Sequence, residues 1–552
     1  MRSHFFSRLF NRCGFHRLVR IMRGYRNLKA SNSLNRIADI NRALTNHPLD
    51  IKDKCYSKYV LGEGIGQAEI LCRQYLLTRV AGLNLNRALL HALGKPDVPV
   101  VYYLPPEWRK IIRSHGFKVA SIRTALLWKA FVGMMLAYGV FKIAKIILSG
   151  IQAARNQSTQ QLGRYVYFDS LVPGNLPQPG RDGRSHDIIT WYMQWRGRAL
   201  DIDTLCHGVK GAEHREVNGT AVIPVLSPIP PLVCFSSLSR FMAWGIGAIL
   251  TAIWDFLRGR WWHALLLNQA ALATQVRVQS SERLGKDYLF HNSGWIYRPL
   301  WTYEAENRGA RITFYFYSTN CEAFKRTEGY PPLPYGWQAM NWPHYLVWDE
   351  YQADFVRRAV GQTANISVVG PIWFHTSAEE MPAFRGRGVA VFDITPTRSS
   401  LYRTLGIDFE FYVPKICIQF LHDIQRVTKD AGYMMLCKRK RKLKNESSFV
   451  HPVYLTFAER LADSENVIII DPDVSAYRVI EESTFMISMP FTSTALIARE
   501  LGKPSCYYDP TGLVQKDDRA AHGIEIISGP EELTRWLKGI SVEPHMSEVN
   551  VA

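Results

Sequence analysis

Short apolar runs recur along this chain with roughly ten to twenty residues of helical pattern between them, and this alternation narrows the fold more than any other feature. Runs that read as strands lie at 98–104, 117–120, 164–168, 188–192, 221–225, 286–293, 311–317, 345–348 and 368–371. A second series follows at 389–393, 433–437, 466–471, 484–489 and 505–508. Strands that are apolar throughout and separated by helices belong to a parallel sheet covered on both faces. A polar seam from about 375, closing in Arg385-Gly386-Arg387-Gly388, divides the two series. At 552 residues the chain is too long for one hydrophobic core. The expected class is therefore α/β, with two facing Rossmann-like domains, an N-terminal basic arm and inserted apolar helices. The expected domains are a basic amphipathic arm at 1–30, an N-terminal α/β domain at 31–375, a C-terminal α/β domain at 376–540 and a tail at 541–552.

In such sheets, ligands bind where polar groups gather just beyond the strand ends. The stretch 482–504 has that form, with a buried strand, a turn at Pro490-Phe491-Thr492-Ser493 and a helix from about Thr494 to Gly502. Its hydroxyls suit either a plain helix cap or a cradle in which free N–H groups and the helix dipole hold a phosphate. Lys438, Arg439 and Lys440, at the end of the 433–437 strand, are candidates to neutralise that phosphate together with Thr492, Ser493 and Thr494; a solvated basic loop is the alternative. Asp393 ends a strand at the presumed cleft and is the leading catalytic carboxylate, or else a turn cap. Glu304, Glu306 and Asp349 are its rivals, and His291 is either an acid–base group or an interior histidine. Proline inside Asp471-Pro472-Asp473 favours helix capping over metal binding, so no metal site is expected.

The formal charge of +19 favours an anionic partner. Residues 1–30 carry seven Arg and one Lys interleaved with apolar residues at helical spacing, the pattern of an interfacial helix on anionic lipid, a mitochondrial presequence or a disordered basic tail. Apolar stretches near 124–148 and 241–268 are interrupted by Lys, Arg and Asp and fall short of the ~20 residues that a spanning helix needs. Core helices or peripheral contact with the inner face of the plasma membrane are expected of them. Nine scattered cysteines without a C-x-x-C pair suggest neither a disulfide framework nor zinc, and favour the cytoplasm. No nucleic-acid motif is present.

Pro490-Phe491-Thr492-Ser493 resembles the run that names the PFTS polysaccharide-biosynthesis proteins, and 297–306 is similar to the same family. The resemblance covers roughly 280–515 and implies a GT-B architecture and a metal-independent glycosyltransferase of bacterial capsule or lipopolysaccharide synthesis. It implies a nucleotide-sugar donor, a glycan or lipid-linked acceptor and no permanently bound cofactor. His451-Pro452 followed by Ser493-Thr494 also resembles the donor-binding motifs of bacterial sialyltransferases, which implies a CMP-linked donor and assigns His451, Pro452 and Asp471 to the nucleotide. Those enzymes carry an acidic-acidic-Gly motif that has no convincing counterpart here. The alternatives are a polyol-phosphate transferase of related architecture and a non-catalytic basic protein binding membrane or nucleic acid.

Overall fold

A computed structural model describes residues 31–47, 57–95, 97–155, 163–177, 187–196, 201–292, 297–372, 381–396, 398, 399, 402, 409–439 and 450–542. The basic arm, Lys440 and the seam at 376 lie outside them. The chain forms two compact units. The first comprises Met1–Lys52, Arg73–Met134 and Ser399–Asp408. Its described part is largely helical: α1 (Ser31–Asn46), most of α2 (Ala68–Arg79), α3 (Leu83–Gly94), α4 (Pro106–Ser114) and the first part of α5 (Ser121–Arg155). The strands expected at 98–104 and 117–120 shrink to one bridge between Val100 and Val119. Pro99 and Pro105 have no N–H to offer a ladder, which disfavours pairing at both ends of the 98–104 run.

The second unit comprises Asp53–Cys72, Met135–Arg398 and Phe409–Ala552 and holds both sheets. Eight strands form the first sheet: β1 (Tyr165–Phe168), β2 (Thr204–His207), β3 (Arg215–Val217), β4 (Thr220–Pro224), β5 (Asp287–His291), β6 (Arg311–Tyr315), β7 (His344–Val347) and β8 (Ile366–Val368). Their order is β3-β4-β2-β1-β5-β6-β7-β8, parallel except for the β3–β4 pair. The second sheet is wholly parallel, ordered β11-β10-β9-β12-β13-β14. Its strands are β9 (Gly388–Phe392), β10 (Met434–Lys438), β11 (Val467–Ile470), β12 (Phe485–Ser488), β13 (Ser505–Asp509) and β14 (Glu525–Ser528). The central strands β1, β5, β9 and β12 are buried along their whole length, as a sheet covered on both faces requires. The α/β class with two Rossmann-like halves is therefore present.

Residues 188–192, expected as a strand, instead open α6 (Ile188–Arg196). Asp187 overrides the β-branched run by accepting from the backbone N–H groups of Ile189 and Thr190, both at 2.9 Å, and so caps the helix. The apolar stretches are also longer than expected. α5 runs 35 residues and α7 (Phe235–Leu257) runs 23, so both are long and apolar enough to cross a membrane by length and composition. The lysines do not interrupt α5: Lys129 and Lys145 lie on its exposed surface, and Lys142 is half-buried within the continuous helix. Within the second unit, Gly139, Gly150 and Gly245 let α5 lie close against Leu267, Leu232 and α7 respectively. Beneath them α8 (Trp262–Val278) is buried on nearly every side. The remaining helices of more than one turn are α9 (Leu300–Asn307), α10 (Glu350–Val360), α11 (Pro414–Asp430), α12 (Pro452–Ala462), α13 (Ala476–Glu481), α14 (Thr494–Glu500) and α15 (Gly529–Val542).

Candidate functional site

The strand order fixes where ligands can enter. In the second sheet the chain moves outward from β9 through β10 to β11, returns to β12, and moves outward again. The connections therefore diverge between β9 and β12 and leave a crevice beyond their carboxyl ends. Asp393 follows β9 and the PFTS turn follows β12. The two are side by side, since the Met489 N–H donates to the Phe392 carbonyl at 3.0 Å. Asp393 is buried and accepts a hydrogen bond from the Tyr454 hydroxyl on α12. Burial pushes its carboxyl up to about 6, against the opposing pull of Tyr454 and Arg439. A carboxylate poised there is competent as a general base near neutral pH.

The turn itself is strained and heavily braced. Phe491 has φ +64°, a left-handed conformation that costs a non-glycine residue roughly 1–3 kcal/mol. Its ring is held by Phe324 at 4.7 Å and edge-on by Tyr507 at 5.7 Å. Tyr412 donates to the Pro490 carbonyl at 2.8 Å and Tyr507 to the Thr492 carbonyl at 2.9 Å. Ser493 stands at the N-cap of α14 without capping it. Its Oγ instead accepts from the Thr319 N–H at 2.9 Å and lies 3.2 Å from the Thr319 hydroxyl. Thr492 and Thr494 are 3.1 Å apart through their hydroxyls.

Thr319 and Phe324 belong to the segment after β6, so the turn touches the first sheet's strand ends. More contacts follow the same line. Asp518, beyond β13, accepts from the Lys325 N–H at 2.7 Å and the Tyr330 hydroxyl at 3.0 Å. Glu322 is paired with Arg358 and Arg519. Asp349 caps α10 and meets His522 Nδ1 at 2.8 Å. Burial alone would raise the Asp349 carboxyl, but His522 and Arg499 hold it below the usual carboxylate range. Asp349 is thus a structural acceptor. The two sheets present their carboxyl ends to each other.

The first sheet has its own crevice, between β1 and β5. Asp169 and Ser170 lie on one side of it and His291 and Asn292 on the other, joined by the Asp169 N–H donating to the Leu289 carbonyl at 2.9 Å. Burial pushes His291 down to about 4, so its imidazole is neutral at pH 7. Tyr315 and Tyr317 flank it.

Other sequence candidates are placed elsewhere. Glu304 on α9 accepts from the Glu63 N–H and from Arg277 Nε, both at 3.0 Å, which makes it a buried ion-pair partner outside either crevice. Glu306 pairs with Arg298, so the family-like stretch 297–306 is a packed helix entry. Lys438 donates to the Pro472 carbonyl at 3.0 Å, and burial brings it down to about 8 against the pull of Asp471 and Asp473. Arg439 turns to the Ala458 carbonyl at 3.0 Å. His451 is the N-cap of α12, with Pro452 in the first turn, and its Nδ1 accepts from the Val453 N–H at 3.2 Å. Asp471 Oδ1 accepts from the Asp473 N–H at 2.8 Å, a local turn. Lys438, His451 and Asp471 all lie at the second sheet's carboxyl end, because each directly follows or ends a strand or opens a crossover helix. Among the described residues no cluster of His, Cys, Asp or Glu could hold a metal ion.

The family model described as "Polysaccharide biosynthesis PFTS motif protein" matches residues 244–537. No curated protein sequence matches the chain significantly. Among solved structures, the α,α-trehalose 6-phosphate synthase from Burkholderia multivorans is 10% identical over 69% of this chain and 90% of its own, with a TM-score of 0.35. The glycosyltransferase SnogD from Streptomyces nogalater is 11% identical over 68% and 90%, with a TM-score of 0.32. A UGT transferase from Siraitia grosvenorii, solved with UDP, is 10% identical over 68% and 90%, with a TM-score of 0.31.

Proposed function

Because the chain belongs to the PFTS family of polysaccharide biosynthesis, we propose that it is a GT-B-type glycosyltransferase that extends a bacterial surface polysaccharide, capsule or lipopolysaccharide, from a CMP-linked sugar. The observation that carries this reading is the position of the family's own turn. It lies at the switch point of a parallel sheet, beside a buried carboxylate of raised pKa, and reaches the strand ends of a second sheet.

In this reading the donor occupies the second sheet's crevice and the acceptor the first. The acceptor hydroxyl loses its proton to Asp393 as its oxygen bonds the anomeric carbon. The bond from that carbon to the donor phosphate breaks, and the electron pair leaves with the nucleotide. Lys438, Thr492 and Thr494 supply charge and hydroxyls toward the departing phosphate. Ser493 holds the turn against Thr319 and so keeps that geometry. His291 is a neutral group on the acceptor side.

The same reading places the protein peripherally, on the inner face of the plasma membrane. α7 exposes Phe235, Met242, Ile246, Leu250, Ile253 and Leu257 along one face. Arg258 lies over Trp254 at 4.2 Å near its end, the pairing of apolar stripe, tryptophan and arginine that suits an interfacial helix.

The test is a panel of CMP-, UDP- and GDP-sugars, read by thermal shift and by product mass. Stabilisation by CMP together with a product heavier by one sugar unit is expected. Asp393→Asn should abolish transfer while keeping nucleotide binding. A product carrying a polyol phosphate would move the protein to the alternative transferase class, and a panel without binding or turnover would overturn the enzymatic reading.

A further inference from the structure

At the other end of the first sheet, away from both crevices, a cavity of about 480 Å³ is lined by Arg164, Arg196, Asp201, Lys286, Asp287 and Arg311. The topology gathers these cations. Arg164 and Lys286 directly precede β1 and β5, and Arg311 opens β6, so three adjacent strands each begin with one. Their spacing is set by the ladder, with the Lys286 N–H on the Tyr165 carbonyl at 2.7 Å and the Arg311 N–H on the Lys286 carbonyl at 2.9 Å. Arg196 closes α6 beside them.

The carboxylates nearby offset the charge only in part, since Arg164, Arg196, Lys286 and Arg311 stand against Asp201, Asp203 and Asp287. Asp201 pairs with Arg164, as does Asp203 at 3.1 Å. Asp287 is buried and accepts from Thr313 at 2.7 Å and Tyr192 at 2.9 Å, while Arg311 Nε stays 3.9 Å away. Among the described residues, neither Arg196 nor Lys286 reaches a carboxylate. The Nε atoms of Arg196 and Arg311 are buried without a hydrogen-bond acceptor among the described residues, and both guanidiniums act on the Asp287 carboxylate through space. Both guanidiniums flank the Trp195 ring, at 5.5 and 5.8 Å, and Trp191 stacks on Trp195 at 5.6 Å. Burial and the positive field of Arg311 hold the nearby His344 imidazole below its ordinary range.

We propose that this cavity binds an oxyanion, phosphate or carboxylate, carried on a sugar and seated on Arg196, Lys286 and Arg311. Guanidinium and ammonium groups with unused donors are the ordinary partners of such anions. The volume exceeds what a bare phosphate fills and lies in the range of small-molecule sites. The sugar part rests on the transferase reading, in which donor and acceptor both carry sugars. The oxyanion part stands on the cavity alone.

Calorimetric titration of the full chain without nucleotide tests both parts, using inorganic phosphate, a hexose phosphate, a hexuronate and the neutral hexose. The hexose phosphate and the hexuronate should bind more tightly than inorganic phosphate, and the neutral hexose should not bind. Arg196→Ala and Lys286→Ala should each weaken binding by about tenfold or more. The unliganded melting temperature of Lys286→Ala should match the parent, since that side chain is exposed and has no carboxylate partner among the described residues, whereas Arg196→Ala also gives up its contact with Trp195. Phosphate binding that gains nothing from the sugar overturns the sugar part. No anion binding, or unchanged affinity in both variants, overturns the site. Because no transfer step is read, failure of the transferase reading leaves the oxyanion result intact.

Discussion

Phe491 shows what the motif's second letter requires. A left-handed backbone favours glycine, yet the ring is anchored by Phe324 and Tyr507. Phe491→Ala should destabilise the chain by about 2–4 kcal/mol through lost packing. Phe491→Gly should be no worse than Ala and better by up to about 1 kcal/mol, the reverse of their usual order, because glycine escapes the backbone strain. Denaturant titration of the two variants decides it. Asp393 and His291 should give opposite pH slopes. The Asp393 carboxyl is raised from about 3.9 unfolded to about 6, so its stabilisation is complete below pH 4 and lost as pH rises through 6. The expected span is about 2–3 kcal/mol, and Asp393→Asn should remove it. His291 is lowered from about 6.5 to about 4, so its contribution is present above pH 6.5 and lost as pH falls through 4. His291→Gln should flatten the acid limb of a melting-temperature series. The crevice positions of Asp393 and the PFTS turn were legible in the sequence because each directly follows an unmistakable apolar strand. The partnerships were not. Thr319, Tyr454 and His522 meet their partners 174, 61 and 173 residues away, and no local pattern records such a pairing.

Elements were legible where local chemistry and burial agree. The strands of the second sheet are plain apolar runs, whereas α6 was hidden by Ile188-Ile189-Thr190 and betrayed only by the cap at Asp187. The β3–β4 hairpin had a signal in Asn218-Gly219, both at positive φ. α5 and α7 are longer than their charge pattern suggested because a helix can place Lys129, Lys145 or Arg240 on its wet face without breaking, and Asp255 of α7 is buried against His263. For α7 the membrane reading makes a sharp forecast. Ile246→Lys with Leu250→Lys should abolish sedimentation with anionic vesicles and leave the melting temperature within about 2 °C, since both side chains are exposed. Unchanged sedimentation would remove α7 from the membrane contact.

At the scale of the molecule, the two sheets are joined by specific polar contacts as well as by Phe491. Asp518 with Tyr330 and Lys325, Glu322 with Arg519, and Asp349 with His522 all cross from one to the other. The second unit should therefore melt in one calorimetric transition. Removing two of these anchors, Asp349→Ala with Asp518→Ala, should split it into two. The threading of the chain adds a constraint in time. Asp53–Cys72 belongs to the second unit although 73–134 belongs to the first. Glu63 is held by Glu304, 241 residues later, and Ser57 by His263, 206 residues later. At a synthesis rate of about 5–20 residues per second, the early segment waits roughly 10–50 s on the ribosome before its partners exist. Translation speed between these points should therefore affect how much of the newborn chain reaches its native form.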